Sequence, residues 1–510
     1  MTRTTRDTAD PQGARETAAD AATFGPAGRE RWIALVVLCV GALMIILDQT
    51  IVNVALPSIQ RDLDFTQSNL AWVVNAYLIA FGGLLLLAGR LGDLVGRRRV
   101  LMAGLLVFTL ASLLCGAAQS QGMLIAARFA QGVGGALTSA VILGMIVTLF
   151  PRPDERARAI GVYAFTSSAG ASIGLLAGGV LTEAINWHWI FFVNVPIGAV
   201  TALLATRLIA SDTGIGLGRG ADLPGALLIV GALMLAVYTI VEVPGRGWGS
   251  ADTLVLGGVA LGLLAAFVGR EATAAHPLVP LGIFRSRTVT AANLVQMLMI
   301  AGLLGVFFLG ALYMQRVLGY GALQVGLAFL PVALAIGTLS LGVSARLIMR
   351  FGAWATLVPG LALVVAGLAL FRRAPADAAY LRDLLPVMLL LGTGAGLAFP
   401  ALMTLAMSGA TPQESGLASG LVNTTQQVGG ALGLAVLATL STTRTGALAA
   451  HGASPTEALM GGYHVAFGIA ALLVAGALAL ALVLLRGQPA DAATTAEQTP
   501  GAQPAYSEDS

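Results

Sequence analysis

The feature that most limits what this chain can fold into is a recurring apolar stretch. From Trp32 onward, apolar and mostly aliphatic runs follow one another, each bounded by Arg, Asp, Pro or Gly. They cover 32–56, 70–88, 100–119, 122–149, 159–181, 190–206, 223–243, 253–269, 289–313, 323–345, 353–371, 384–407, 415–440 and 464–485, the sixth and eighth being the shortest. A hydrocarbon core of about 30 Å is crossed by roughly 20 helical residues, and a chain inside lipid must satisfy its own backbone hydrogen bonds. These runs predict fourteen transmembrane helices and an all-α integral membrane fold. Only 10% of the 510 residues are charged, against about 25% in soluble domains, so a soluble globular protein is excluded.

Residues 1–31 and 487–510 are polar and lack an apolar core, and both are expected as disordered tails. An even number of spans places both termini on one side. With that side inside, 20 arginines fall on inner segments and 7 on outer ones, with Arg128 left within a span. The excess predicts a multi-pass cell-membrane protein with cytoplasmic termini. All 28 basic residues are arginine. Without lysine, neither a phosphate-binding loop for ATP nor Schiff-base chemistry is available. No cofactor is expected, and the proton gradient remains as the energy source. Cys39 and Cys115 lie in apolar runs and read as core. His188, His276, His451 and His464 lack metal-ligand spacing, so no metal site is expected. The basic residues form no stripe suited to nucleic acid.

The Gly-rich stretch 207–222 separates six spans from the rest. The expected organisation is a six-helix bundle at 32–206, a linker with two extra transmembrane helices at 207–288, and a second six-helix bundle at 289–486. Weak internal symmetry should accompany it. Its best trace is Gly89-Arg-Leu-Gly-Asp-Leu-Val-Gly-Arg-Arg-Arg99 against Ala345-Arg-Leu-Ile-Met-Arg-Phe-Gly352, each with arginines and a glycine turn after the second span of its half.

An ionisable group within a span is informative, because at the bilayer centre it costs about 2.5–3.5 kcal/mol. Asp48 lies roughly 24 Å up from the inner face at ~1.5 Å per residue. Arg128 lies roughly 9 Å below the outer face by the same rise. The two depths nearly coincide, so Asp48 and Arg128 are expected at one level, paired directly or through water. A static structural pair is the plain reading; a carboxylate poised for proton coupling is the functional one. Gln131, Gly132 and Gly135 share a helix face with Arg128. Gln49 and Asn53, Asn75, Asn293 and Gln296, and Asn423 and Gln427 are further amides within spans. Any one could bond between helices, but their spread over five spans favours a water-filled cavity.

The fifth span carries Gly161, Gly170, Gly174, Gly178 and Gly179, at spacings that allow close helix approach. Its Gly170-Ala-Ser-Ile-Gly174 matches a hydrolase elbow, but that elbow needs a strand before it and His and Asp partners. An enzyme is therefore not expected. Glu183 and Glu242 fall near outer span ends and read as interfacial.

These motifs together resemble the fourteen-span drug:proton antiporter branch of the major facilitator superfamily, the EmrB/QacA-like exporters, over nearly all of 32–486. Leu47-Asp-Gln-Thr-Ile-Val-Asn-Val-Ala-Leu-Pro57 is similar to its first-helix signature, which implies proton coupling for Asp48. Leu124-Ile-Ala-Ala-Arg-Phe-Ala-Gln-Gly-Val-Gly-Gly-Ala136 resembles the fourth-helix motif and implies proton transfer for Arg128. Gly89, Asp93, Gly96 and Arg97 resemble the loop that implies a cytoplasmic charge latch between the halves. The fifth-span glycines resemble the antiporter motif, with Leu175 where a proline is usual. Trp187-His-Trp-Ile-Phe-Phe-Val-Asn-Val-Pro-Ile-Gly198, with His188 where arginine is more usual, and Glu414-Ser-Gly-Leu-Ala-Ser-Gly420 fit the same branch. The resemblance implies a monomeric transporter in contact with membrane lipid, exchanging protons for a small organic substrate, a drug or antibiotic, by alternating access. A proton-coupled symporter importing a small solute is the alternative. No acid occurs from 317 to 376, where some multidrug members carry one in the tenth span. Doubly cationic substrates are therefore not expected.

Overall fold

The computed structural model describes residues 28–486 except 151, 211, 213, 215, 217–221 and 409–414. The tails therefore lie outside the described residues, as does Glu414 of the motif before the thirteenth span. Every expected span coincides with a helix. The first half contains α1 (Gly28–Asp62), α2 (Trp72–Val95), α3 (Arg97–Gly116), α4 (Gln121–Leu149), α5 (Pro153–Ala184) and α6 (Asn194–Leu208). An intervening pair follows, α7 (Leu223–Arg246) and α8 (Ala251–Thr273). The second half contains α9 (Arg287–Arg316), α10 (Ala322–Thr338), α11 (Ala353–Phe371), α12 (Leu385–Ser408), α13 (Ser415–Ala450) and α14 (Pro455–Leu484). Among the described residues, 11 helices are long and apolar enough to cross a membrane. α10 is shorter because a π-helical turn, Leu339–Val343, interrupts the span before Ser344–Phe351 resumes it.

Several helices run past the expected spans: α13 continues to Ala450 and α14 begins at Pro455. α1 begins at Gly28, inside the stretch expected as tail, and Arg31 in its first turn bonds Glu155 at the start of α5 (3.5 Å).

The two halves repeat one packing scheme. α1 packs on α5 and α6, α2 on α4, and α3 on α4 and α6; eight helices later, α9 packs on α13 and α14, α10 on α12, and α11 on α12 and α14. The halves meet through α2 against α13 and α5 against α10, a pair of contacts that maps onto itself under the same shift. The sequence trace of symmetry has a backbone counterpart: Gly96 (φ 106°) and Gly352 (φ 88°) begin α3 and α11, in a conformation L side chains rarely adopt. α7 fills the seam by touching both α2 and α13. α8 packs mainly on α7; only 11% of its apolar window is buried, which leaves the rest for lipid.

Hydrogen bonds tie the halves together at the end opposite the arginine-rich loops. Gln315 donates to the Val54 carbonyl (2.9 Å), Arg316 to Gln67 (3.4 Å), Gln67 to Ser441 (3.4 Å), and the Leu323 amide to Glu183 (3.0 Å).

Candidate functional site

Asp48 and Arg128 form a direct ion pair inside the first half. Both are buried, at 0% and 1% exposure, and Arg128 Nη1 lies 2.6 Å from Asp48 Oδ2. A buried pair persists only if its remaining hydrogen-bonding capacity is met. Here Asp48 Oδ1 accepts from Gln131 Nε2 (2.7 Å) and Asn194 Nδ2 (3.0 Å). Arg128 donates further to Gln131 Oε1 (2.6 Å) and, from Nε, to the Val73 carbonyl (2.8 Å). Gln131 is itself held by Ser112 (2.8 Å). The guanidinium lies over the Tyr77 ring, 4.5 Å from its centroid, and 5.7 Å from that of Phe191. Five helices of one half thus converge on one carboxylate and one guanidinium. Small residues permit it: a methyl on Gly135 would stand 2.8 Å from the Tyr77 hydroxyl oxygen, so α4 can approach α2 closely enough to bring that ring under Arg128.

Asn194, Ser112 and Tyr77 were not singled out from sequence. Asn194 lies within the Trp187–Gly198 motif, which carries a resemblance as a whole and marks no single side chain. Tyr77 reads as one more apolar residue until Arg128 is placed above it.

The fifth-span glycines lie along α1 at the level of the pair. A methyl on Gly170 would come 2.8 Å from Leu43, on Gly174 2.9 Å from the Leu47 carbonyl oxygen, and on Gly178 2.7 Å from that of Ile51. A methyl on Gly179 would instead stand 2.6 Å from the Leu323 backbone of α10, across the seam. Gly161 is on the same helix, its surroundings outside the described residues. Leu175 is buried, and its carbonyl faces Gly326 of α10.

A cavity of ≈ 130 Å³ lies between the halves. Gln49 and Gln427 line it, joined by Gln426, which sequence reading passed over. The rest is apolar, including Leu78, Phe307, Ile336 and Phe399. The other amides expected along such a cavity are placed elsewhere. Gln131 serves the ion pair. Asn53 donates back to the Gln49 carbonyl (3.2 Å). Asn293 bonds the Val289 carbonyl (2.9 Å) and receives Thr425 (3.0 Å), joining α9 to α13. Asn75 and Gln296 are buried, at 0% and 2% exposure, and Asn423 is exposed near the start of α13. Helical spacing places amides on one face but does not distinguish a face turned to a neighbour from one turned to a void. The Gln49 amide also reaches the Tyr77 hydroxyl (3.4 Å), so Tyr77 separates the cavity from the ion pair.

The loop between α2 and α3 differs from the implied latch. Arg97 meets Asp93 (3.4 Å), the Gly144 carbonyl (3.0 Å) and Thr148 (3.0 Å), all within the first half. Asp212, from the linker after α6, accepts the Arg97 and Arg98 backbone amides (2.7 and 3.1 Å) and so caps α3. The glycines explain the route: a side chain at Gly144 would meet the Arg97 guanidinium at 3.2 Å, while Gly96, by its positive φ, turns the chain toward Asp212. Gly89 has open space beside it.

Two six-helix bundles in one repeated scheme, joined across a central cavity beside a buried ion pair, define a multi-pass membrane transporter. The chain belongs to the Major Facilitator Superfamily, whose model matches residues 38–434. It is 43% identical to the puromycin resistance protein pur8 of Streptomyces alboniger, over 94% of this chain and 96% of that one. It is 40% identical to the cephamycin export protein CmcT of Amycolatopsis lactamdurans (87% and 90%), and 34% identical to the tetracenomycin C resistance and export protein of Streptomyces glaucescens (86% and 80%). A bacterial homolog of the human lysosomal transporter Spinster, solved inward-facing and unoccupied, shares the fold at a TM-score of 0.65 and 17% identity, over 90% of this chain and 98% of that one.

Proposed function

We propose that this protein exports hydrophobic or amphipathic antibiotic-like compounds across the cell membrane in exchange for protons, by alternating access, with both termini cytoplasmic. The observation that carries the proton-coupling reading is the Asp48–Arg128 pair: a carboxylate of 0% exposure, fully hydrogen-bonded, one side chain away from the central cavity. Protonating Asp48 cancels its charge. Arg128 is not stranded by this, because the Val73 carbonyl, the Gln131 carbonyl and the Tyr77 face remain as partners. The pair can therefore open and close without leaving a bare buried cation, the outcome that costs about 3–5 kcal/mol. The similarity to antibiotic resistance and export proteins supports export of antibiotics. The lining of the cavity, three glutamines on an apolar wall with no ionisable side chain, supports compounds of low charge with a hydrogen-bonding edge.

The test is transport into inverted membrane vesicles with an acid lumen, using puromycin, cephamycin and tetracenomycin C as probes. The wild type should accumulate at least one of them, and Asp48→Asn should reach the membrane at the same level but accumulate none above background. Proton-driven accumulation by Asp48→Asn equal to wild type would sink the mechanism; movement of substrate out of the lumen would make the protein an importer.

A further inference from the structure

A pair of carboxylates lies at the arginine-rich end of α7 and α8, far along the chain from Asp48. Asp222 caps α7: its Oδ1 accepts the Gly225 amide (3.2 Å) and Arg270 Nε (3.0 Å). Glu271, in the last turn of α8, accepts the Val279 amide on Oε2 (2.8 Å). Both residues are buried, at 3% exposure each. The other oxygen of each, Asp222 Oδ2 and Glu271 Oε1, has no hydrogen-bond partner among the described residues. These two oxygens converge: a methyl built on Gly225 would touch both.

We propose that Asp222 and Glu271 form a second proton-binding site, holding one proton between Asp222 Oδ2 and Glu271 Oε1. The local charge balance supports it. Among the described residues the charged groups acting on Glu271 are Asp222 and Arg270, so two carboxylates face one guanidinium there. Two carboxyl groups forced together out of water keep one proton between them rather than ionise twice. A metal ion does not fit the vacancy as well. Hard cations take about six or more oxygens, only two unpartnered oxygens converge here, and no group of three or more potential ligands occurs among the described residues.

The site bears on movement. Val279 and Leu278 belong to an apolar cluster that includes Leu87 of α2, Ala226 of α7 and Leu421 of α13, and so joins the two halves at this end. Losing the proton sets two like charges against each other beneath that cluster. The inference does not depend on Asp48 being the coupling group.

The experiment is pH-difference infrared spectroscopy of the full chain in lipid nanodiscs, carried out in an Asp48→Asn background so that Asp48 contributes nothing. A protonated-carboxyl stretch should be present at neutral pH, titrate away in alkali, and disappear on adding either Asp222→Asn or Glu271→Gln. A band that survives both substitutions, or is missing from the Asp48→Asn parent, overturns the site. Thermal unfolding gives a second reading. A proton bound in the folded state and lost from the unfolded one stabilises below the ordinary carboxylate range, and that contribution is lost as pH rises through the site's own titration. The parent should therefore lose stability on alkalinisation. Asp222→Asn, whose amide can donate to Glu271 Oε1 at any pH, should be flatter. Equal slopes, or stabilisation of the parent by sodium chloride over choline chloride in alkali, would overturn the proton assignment.

Discussion

Tyr77 stands between Arg128 and the cavity: its ring lies under the guanidinium at 4.5 Å, and its hydroxyl meets the Gln49 amide at 3.4 Å. Asp48 is therefore not a cavity wall, and a substrate cannot compete with the proton by touching the carboxylate. In the proposed exchange, coupling would pass through side chains between the two sites, and Gln49 with Tyr77 provides one such route.

Tyr77→Phe tests that route with little change in packing. A phenyl ring still receives Arg128, so the ion pair stays and stability should change by no more than about 1 kcal/mol. The Gln49 amide, however, loses its acceptor. Substrate-triggered proton release, followed with a pH dye on purified protein, should fall about tenfold, equivalent to ~1.4 kcal/mol of coupling. Release at the wild-type level would remove Tyr77 from the pathway.

The ion pair itself should reveal its cost through asymmetry. Arg128→Leu leaves Asp48 buried with two amides and no counter-charge, a loss of about 3–5 kcal/mol. Adding Asp48→Asn should recover much of that loss, because the stranded charge is gone. Melting curves of the two single variants and the double variant form the cycle. Additive losses would mean that the pair contributes no coupling energy of its own.

The relation of sequence to structure is uneven here for physical reasons. Each span was legible because lipid imposes about 20 apolar residues on any crossing helix. The common level of Asp48 and Arg128 followed from counting rise along two antiparallel helices, which needs no knowledge of packing. Rotation about the helix axis was harder to read. Asn293 and Gln427 both read as cavity amides, yet Asn293 receives Thr425 while Gln427 lines the void. Gln426, one residue from Gln427, also lines it. The π turn at Leu339–Val343 has no composition of its own, and the role of Asp212 depends on where a Gly-rich linker comes to rest.

Gly178→Ala should damage transport more than its size suggests. The added methyl would stand 2.7 Å from the Ile51 carbonyl oxygen, a backbone atom that cannot rotate aside, one turn from Asp48 on α1. Forcing α5 away from α1 costs about 1–3 kcal/mol and shifts the helix that carries the carboxylate. Gly122→Ala, with open space around it, is the matched control and should behave as wild type. Vesicle transport corrected for protein level separates the two; equal rates would show that the α1–α5 spacing has slack.

The tie between Glu183 and Leu323 should set how often the end opposite the arginines opens. The carboxylate accepts the Leu323 amide at 3.0 Å in the first turn of α10, where helix amides lack internal partners and the dipole favours an anion. A charge-assisted bond of this kind is worth about 1.5–3 kcal/mol when buried, and exposure reduces it to about 1 kcal/mol. Removing it with Glu183→Ala should therefore raise the population open at that end by roughly fivefold. A cysteine at Ser58 reports it, since Ser58 lines the ≈ 520 Å³ cavity at that end with Glu183 and Arg316, while Cys39 and Cys115 are buried. Maleimide should label Ser58→Cys about five times faster with Glu183→Ala than without. Glu183→Gln should fall between, because its carbonyl still accepts the Leu323 amide but carries no charge. If all three label at one rate, the other ties at this end, Gln315 to Val54 and Arg316 to Gln67, suffice to hold it closed.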